Sequence, residues 1–153
     1  MDEVLKVSLV QTSTFWENAK ANLASLNSKF EQLENDTDLV LLPEMFSTGF
    51  SVGKEGIAEK MDGQTVNWML EKASEKDCLL MGSVLIEDNK NYFNRLIAAF
   101  PDGRLLHYDK RHLFSYAGED KIFAKGTKRL VFSYKGFKIC PLICYDLRFP
   151  VWA

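Results

Sequence analysis

Hydrophobic residues follow two different rhythms along the first half of the chain. Valine and leucine dominate residues 4–10, which predicts a strand, whereas apolar residues recur at steps of three and four over residues 18–33, which predicts an amphipathic helix. An unbroken apolar run at 38–42 predicts a strand buried on both faces, and the helical spacing returns at 65–76, with Thr65 as a candidate N-cap. The first half therefore predicts strand, helix, strand and helix.

The second half of the chain is predicted to consist mostly of strands. The segments with strand-like composition are 78–87, 92–100, 105–109, 130–134 and 137–144, and turns rich in Asp, Asn and Gly separate several of them. Two helices followed by a series of strands predict a mixed α/β layered fold in which the helices cover one face of a sheet. The loop 46–63, which holds four glycines, is a candidate pocket rim.

Composition narrows the class of protein. The 153 residues, of which 46% are hydrophobic, suffice for one packed core. A net charge of -2 without a block of like charge argues against nucleic-acid or membrane partners. The N-terminus is acidic before a short apolar segment, unlike a signal peptide, and no apolar run reaches the length of a membrane span, so we expect a cytoplasmic protein. Three irregularly spaced cysteines predict a reducing compartment, and no zinc-type spacing is present, so we expect no metal.

Three reactive side chains follow three predicted strands: Glu44, Lys110 and Cys144. Catalytic groups in α/β sheets gather beyond the carboxyl ends of strands, so these side chains are expected to meet. A free thiol is mostly protonated at pH 7, and a catalytic cysteine therefore needs a base or a neighbouring cation. Each residue alone also has a structural interpretation, in which Cys144 is buried packing, Glu44 caps a loop and Lys110 is solvated.

Three short motifs favour the catalytic interpretation of these residues over the structural one. PEMFSTGF at 43–50, YDKRHLF at 108–114 and ICYDLRFP at 143–150 occur in the order, and near the separations, of the nitrilase superfamily of carbon-nitrogen hydrolases, which the chain resembles over nearly its whole length. FSTGF and CYDLRFPVWA look most like the omega-amidase branch. The resemblance implies an α/β fold, a four-layer αββα sandwich, and hydrolysis of 2-oxoglutaramate-like 2-oxo acid amides without a cofactor. N-carbamoyl amino acids, nitriles and other aliphatic amides stay open as alternative substrates.

The resemblance also implies roles for individual residues. Glu44 would be the general base, Lys110 would stabilise the tetrahedral intermediate and Cys144 would be the nucleophile. Glu119 matches a further glutamate that positions the lysine or assists the base, although GED also suits an exposed turn. The backbone N–H of Tyr145 would complete the oxyanion hole, with Cys144 on a sharp turn after its strand.

Three further residues are candidates for substrate binding. Phe46 and Tyr116 flank the expected site and are either pocket walls or core aromatics. Arg148 is a candidate partner for a substrate carboxylate, and an ion pair with Asp146 or Glu119 is an equal alternative.

Other polar and thiol side chains are expected to be structural. Asn94 in YFNR is interpreted as a structural residue, and Cys78 and Cys140 are expected to be buried and inert. Pro141 cannot donate to a strand ladder and predicts an edge position or a bulge.

The resemblance covers only the N-terminal part of a longer family domain, so residues 1–153 are expected to form part of a single hydrolase domain with an incomplete second sheet. A truncated chain, a cut chain whose C-terminal part stays bound as a separate chain, and an inactive fragment that serves as a binding or assembly module are all open. Relatives commonly pair, so a homo-oligomer, in particular a dimer, is expected.

Overall fold

A mixed sheet forms the centre of the computed structural model, which describes residues 4–34, 36–53 and 55–153. Its strands follow the order of the chain: β1 (Val7–Leu9), β2 (Leu39–Leu41), β3 (Leu79–Asp88), β4 (Asn91–Ala99) and β5 (Leu105–Asp109). The first three strands are parallel, and β4 and β5 continue antiparallel. The carboxyl ends of β2 and β5, which precede Glu44 and Lys110, are thus set within one sheet.

Two helices, α1 (Ala19–Phe30) and α2 (Gln64–Lys76), pack on one face of this sheet. The buried side of α1 carries Leu23, Leu26 and Phe30, as the three- and four-residue spacing predicted. Asn18 caps the helix because its side chain accepts a hydrogen bond from the N–H of Ala21 at 3.0 Å. Among the residues that the structure describes, no helix is both long and apolar enough to cross a membrane.

The N-cap predicted for α2 is wrong. Gly63 occupies the cap position, and Thr65 lies inside the first turn, fully buried. The N–H of Thr65 donates to Oε2 of Glu59 at 2.7 Å. The Glu59 carboxylate therefore satisfies the free backbone donor of the first turn, which is the task that an N-cap side chain usually performs.

A small second sheet covers the other face of the central sheet. β6 (Phe132–Tyr134) and β7 (Phe137–Ile139) are antiparallel and pack on a buried cluster that includes Leu79 and Phe100. The ring of Phe100 meets the ring of Phe132 edge to face at 5.6 Å between centroids. Within the described ranges the helices, the central sheet and the second sheet form three layers, which correspond to the αββ part of the expected αββα sandwich.

The strand predicted at 137–144 is too long. The ladder of β7 ends at Ile139, before Pro141, which has no N–H to donate. Ile139 is half-buried and the next residue, Cys140, is exposed, so the expected burial of Cys140 is wrong. Cys140 lies beyond the end of the ladder and lines an open cavity, which leaves it accessible. Cys144 begins a 3₁₀ turn, Cys144–Arg148, which we call the nucleophile turn.

Candidate active site

Lys110 lies buried between two carboxylates. Its Nζ is 2.7 Å from Oε1 of Glu44 and 2.9 Å from Oε2 of Glu119. The side chains of Lys110 and Glu119 are both 0% exposed, and that of Glu44 is 18% exposed. Burial excludes the interpretations in which Lys110 is solvated and Glu119 lies in an exposed turn. Three residues from distant parts of the chain thus form one ionic cluster.

The cluster keeps Lys110 charged. Burial opposes the charged form of the amine, but the hydrogen bonds and charges of Glu44 and Glu119 outweigh burial, so the pKa of Lys110 is raised above its ordinary value. A buried ammonium at this position is a fixed positive charge next to the catalytic cysteine expected at Cys144. Such a charge can stabilise an anion that develops nearby.

Both oxygens of Glu119 accept hydrogen bonds. Its Oε2 accepts from Lys110 and, at 2.6 Å, from the N–H of Phe114, and its Oε1 accepts from Nδ2 of Asn94 at 2.9 Å. The same Nδ2 donates to Oε1 of Glu44 at 2.8 Å. Asn94, interpreted from the sequence as structural, therefore lies between the two carboxylates of the site. The signal in the sequence was an amide on a strand that is otherwise mostly apolar toward its end.

Glu44 is positioned by the chain that follows it. Met45 has a left-handed backbone, with φ of 48°, and its N–H donates to Oγ of Ser83 at 2.8 Å. Phe46 is 0% exposed and packs on Trp68 with ring centroids 6.0 Å apart. A Cβ on Gly82 of β3 would lie 2.8 Å from the Phe46 ring, so only glycine allows this approach. Phe46 is thus a core aromatic, the second of its two expected roles.

Cys144 is the first residue of the nucleophile turn and has a φ of 43°. Such left-handed backbone costs a residue other than glycine roughly 1 kcal/mol or more and is concentrated at functional sites. As a whole residue, Cys144 is exposed. The N–H of Asp146, which donates to the carbonyl of Ile143 at 3.0 Å, makes the first hydrogen bond within the turn. The N–H of Tyr145 comes one residue before that first hydrogen bond. The first N–H groups of a helical turn have no partner within the turn and can bind an anion.

The surroundings of Cys144 favour its neutral thiol. Partial burial raises the pKa of Cys144, the negative charge of Glu44 raises it further, and the charge of Lys110 only partly opposes them. The arrangement is therefore a thiol facing a base. It is not a thiolate held by a cation, the other possibility that the sequence allowed.

Asp146 ties the nucleophile turn to the segment that carries Lys110. Its buried carboxylate accepts from the hydroxyl of Tyr108 at 2.7 Å and from the N–H and Nδ1 of His112, each at 2.8 Å. It also accepts from the N–H of Ile143 at 3.1 Å. These four donors fill the Asp146 carboxylate. Among the described residues Arg148 forms no salt bridge with Asp146 or Glu119, the structural alternative for this residue, and Arg148 is exposed.

A cavity of about 490 Å³ opens beside Glu44 and Cys144, between the two sheets. Apolar side chains such as Leu41 and Met81 line much of it, and Cys140 is part of its wall. Of the loop 46–63, expected to form a pocket rim, no described residue (46–53 and 55–63) contributes to this lining, although the Phe50 ring lies 5.5 Å from Nζ of Lys110.

Tyr116 and the histidines lie apart from the cavity lining. Tyr116 is 94% exposed, and its ring lies 6.0 Å from that of Phe114. His112 stacks on Phe149 at 3.8 Å between centroids. In the described part of the chain, no group of three or more His, Cys, Asp or Glu side chains is arranged to hold a metal ion.

Comparison with known proteins agrees with this geometry. The carbon-nitrogen hydrolase family matches residues 6–153. The chain is 38% identical over 149 residues to the omega-amidase YafV of Escherichia coli, which covers 97% of this chain and 57% of that protein. It is 28% identical over 149 residues to the 2-oxoglutaramate amidase of Bacillus subtilis, covering 95% of this chain and 58% of that enzyme.

The fold agrees with a solved structure. The crystal structure of XC1258 from Xanthomonas campestris, a CN-hydrolase superfamily protein with an arsenic adduct in its active site, superposes with a TM-score of 0.91 at 46% identity. The alignment covers 96% of this chain and 56% of that one. The chain therefore belongs to the carbon-nitrogen hydrolase family of the nitrilase superfamily, within its omega-amidase branch, and the expected α/β fold is confirmed. It spans little more than half the length of these relatives.

Proposed function

We propose that the whole protein to which this chain belongs is an amidase that hydrolyses the side-chain amide of 2-oxoglutaramate-like 2-oxo acids. One observation carries the proposal: the carboxylate of Glu44 lies 2.7 Å from the ammonium of Lys110 and lines the same cavity as Cys144, whose thiol is subject to the charges of both groups. A base, a cation and a nucleophile gathered at one cavity are the parts that acyl transfer requires. The similarity to omega-amidases supports the substrate class.

Acylation begins with transfer of the thiol proton to Glu44 as the sulfur of Cys144 attacks the amide carbonyl. Lys110 and the N–H of Tyr145 hold the oxyanion of the tetrahedral intermediate. The proton on Glu44 then passes to the leaving nitrogen, the carbon–nitrogen bond breaks, and ammonia departs from a thioester on Cys144. Positioned proton transfer contributes about 10²- to 10⁴-fold in rate, and each oxyanion donor about 2.7 to 4 kcal/mol.

Deacylation uses the same base again. Glu44, now a free carboxylate, removes a proton from water, and the resulting nucleophile attacks the thioester. Lys110 and the Tyr145 N–H hold the second oxyanion. The carbon–sulfur bond breaks, the proton returns to sulfur, and the acid product leaves. In both half-reactions Glu119, whose oxygens are occupied by donors, holds Lys110 in place.

Ammonia release from 2-oxoglutaramate by the protein expressed from its full natural gene tests the proposal. N-carbamoyl amino acids, nitriles and aliphatic amides complete the panel. Cys144→Ala is expected to abolish turnover, and Cys140→Ala, a change of the second thiol in the same cavity, is expected to preserve it. Full activity in folded Cys144→Ala would contradict the mechanism. Turnover of another panel member in place of 2-oxoglutaramate would overturn the substrate class alone, and inactivity on every compound would favour a binding or assembly module.

A further inference from the structure

Asn94 and Lys110 are the two described side chains that donate to both carboxylates of the site. The Nδ2 of Asn94 lies 2.8 Å from Oε1 of Glu44 and 2.9 Å from Oε1 of Glu119. Its backbone carbonyl accepts the N–H of Lys110 at 3.0 Å. Asn94 is 0% exposed on β4, the strand that pairs with β5. A rigid element of the sheet therefore holds one amide against three charged residues.

The two oxygens of Glu44 are unequally occupied. Both hydrogen bonds that described side chains donate to Glu44, from Asn94 and from Lys110, arrive at Oε1. A carboxylate oxygen has two lone-pair sites, so two donors fill Oε1. Cys144 lines the same cavity as Glu44, and the charge of this carboxylate acts on its thiol. Oε2 is the oxygen left to accept from that thiol.

We propose that Asn94 is a positioning residue that, together with Lys110, occupies Oε1 of Glu44 and so presents Oε2 to the thiol of Cys144 and later to water. The inference rests on the function proposed above. It assigns the role of general base to Oε2 of Glu44, and it assigns the orientation of that carboxylate to the side-chain amide of Asn94.

Lys110 cannot perform this task alone. Its ammonium is shared between two carboxylates, and it must turn donors toward the oxyanion when the substrate carbonyl is attacked. An ammonium on a flexible stem redirects easily, whereas an amide on a buried strand does not. When Lys110 redirects a hydrogen to the substrate, Asn94 keeps its bond to Glu44, and the base stays aligned.

The orientation of the Asn94 amide is dictated by charge. Two carboxylates face its Nδ2, so the flipped amide would place an oxygen against two anions. Its Oδ1 is left buried without a hydrogen-bond partner among the described residues. A buried acceptor without a partner is destabilising. The two hydrogen bonds of Nδ2 to the carboxylates offset that cost, which ties the presence of the amide to the site.

Asn94→Ala and Asn94→Ser, studied in the full natural protein, test the role, with Asn91→Ala on the exposed start of the same strand as the matched control. Asn94→Ala is expected to lower kcat by about 10²-fold with little change in KM, since small misplacements of catalytic groups cost that much. Asn94→Ser, which retains one donor, is expected to recover part of kcat, and Asn91→Ala to change nothing.

Alkylation of Cys144 by iodoacetamide gives a readout that needs no substrate. Glu44, Lys110 and Glu119 are the charged groups that act on this thiol, and Glu44 raises its pKa. In folded Asn94→Ala the midpoint of alkylation against pH is expected to fall, because Glu44 is less well placed to raise it. An unchanged midpoint, or kcat within twofold of the parent protein, would overturn the proposal. If no panel amide is hydrolysed but the midpoint falls, the substrate proposal fails and the positioning role stands.

Discussion

The hydroxyl of Tyr108 donates a 2.7 Å hydrogen bond to Oδ2 of Asp146. Tyr108 lies on β5, two residues before Lys110, and Asp146 lies two residues after Cys144 in the nucleophile turn. This bond joins the segment of the cation to the segment of the nucleophile. Both side chains are buried, and neither is one of the expected catalytic residues.

Asp146→Ala is expected to reduce both stability and turnover. The change leaves four donors, on Tyr108, His112 and Ile143, without their acceptor, and each unsatisfied buried donor costs about 1–3 kcal/mol. The nucleophile turn loses its tie to β5, so kcat should fall even in the folded fraction. Chemical denaturation and ammonia release measure the two effects. Tyr116→Phe, which removes an exposed hydroxyl, should alter stability by less than about 0.5 kcal/mol.

Lys110→Met is expected to destabilise the protein by about 3–5 kcal/mol, because removal of one partner leaves buried carboxylates uncompensated. Adding Glu119→Gln to that variant removes one of the two charges and should restore part of the stability without activity. Lys6→Met, which breaks an exposed ion pair with Asp36, should cost less than about 1 kcal/mol. A double variant no more stable than Lys110→Met in urea denaturation would contradict this account.

Thiol alkylation should separate the three cysteines. Because burial and Glu44 raise the pKa of Cys144, its thiolate forms only as pH rises above the range of an ordinary thiol, and its alkylation rate should rise accordingly. Glu44→Gln removes a charge that raises this pKa, so the midpoint should move to lower pH. Burial raises the pKa of Cys78 to about 11, and this thiol should label slowest.

Mass spectrometry of tryptic peptides assigns each rate, and Cys140→Ser removes the neighbouring exposed thiol as a control. A Cys144 midpoint that is the same with Glu44 and with Gln at that position would exclude contact between the carboxylate and the thiol.

Gly126→Ala is expected to displace the backbone of Lys110, although Gly126 itself lies outside the site. The N–H of Gly126 donates to the carbonyl of Lys110 at 2.9 Å, and a Cβ on Gly126 would lie 1.9 Å from the carbonyl oxygen of Asp109. Because that atom belongs to the backbone, the end of β5 must shift, and both melting temperature and kcat should fall. Gly103→Ala, in an open turn with φ of 85°, should cost only roughly 1 kcal/mol of stability and leave kcat unchanged. Equal kcat in the two variants would contradict the expectation.

The strands and helices were largely predictable because their hydrophobic spacing is local. The helix 65–76 and the strand 105–109 differ from α2 and β5 by at most one residue. The errors concern the ends of elements, where a residue outside the hydrophobic pattern of the element sets its boundary. Glu59 caps α2 in place of Thr65, and Pro141 stops β7 before the predicted end.

The sequence by itself determined which reactive side chains follow which strands, since Glu44, Lys110 and Cys144 each end a hydrophobic segment that forms locally. Only the tertiary structure decided which polar groups are buried together. Sixty-six residues separate Glu44 from Lys110, and fifty separate it from Asn94. Charged groups stay buried only when partners of opposite charge or matching donors arrive from elsewhere in the chain, and those meetings depend on strand register and packing.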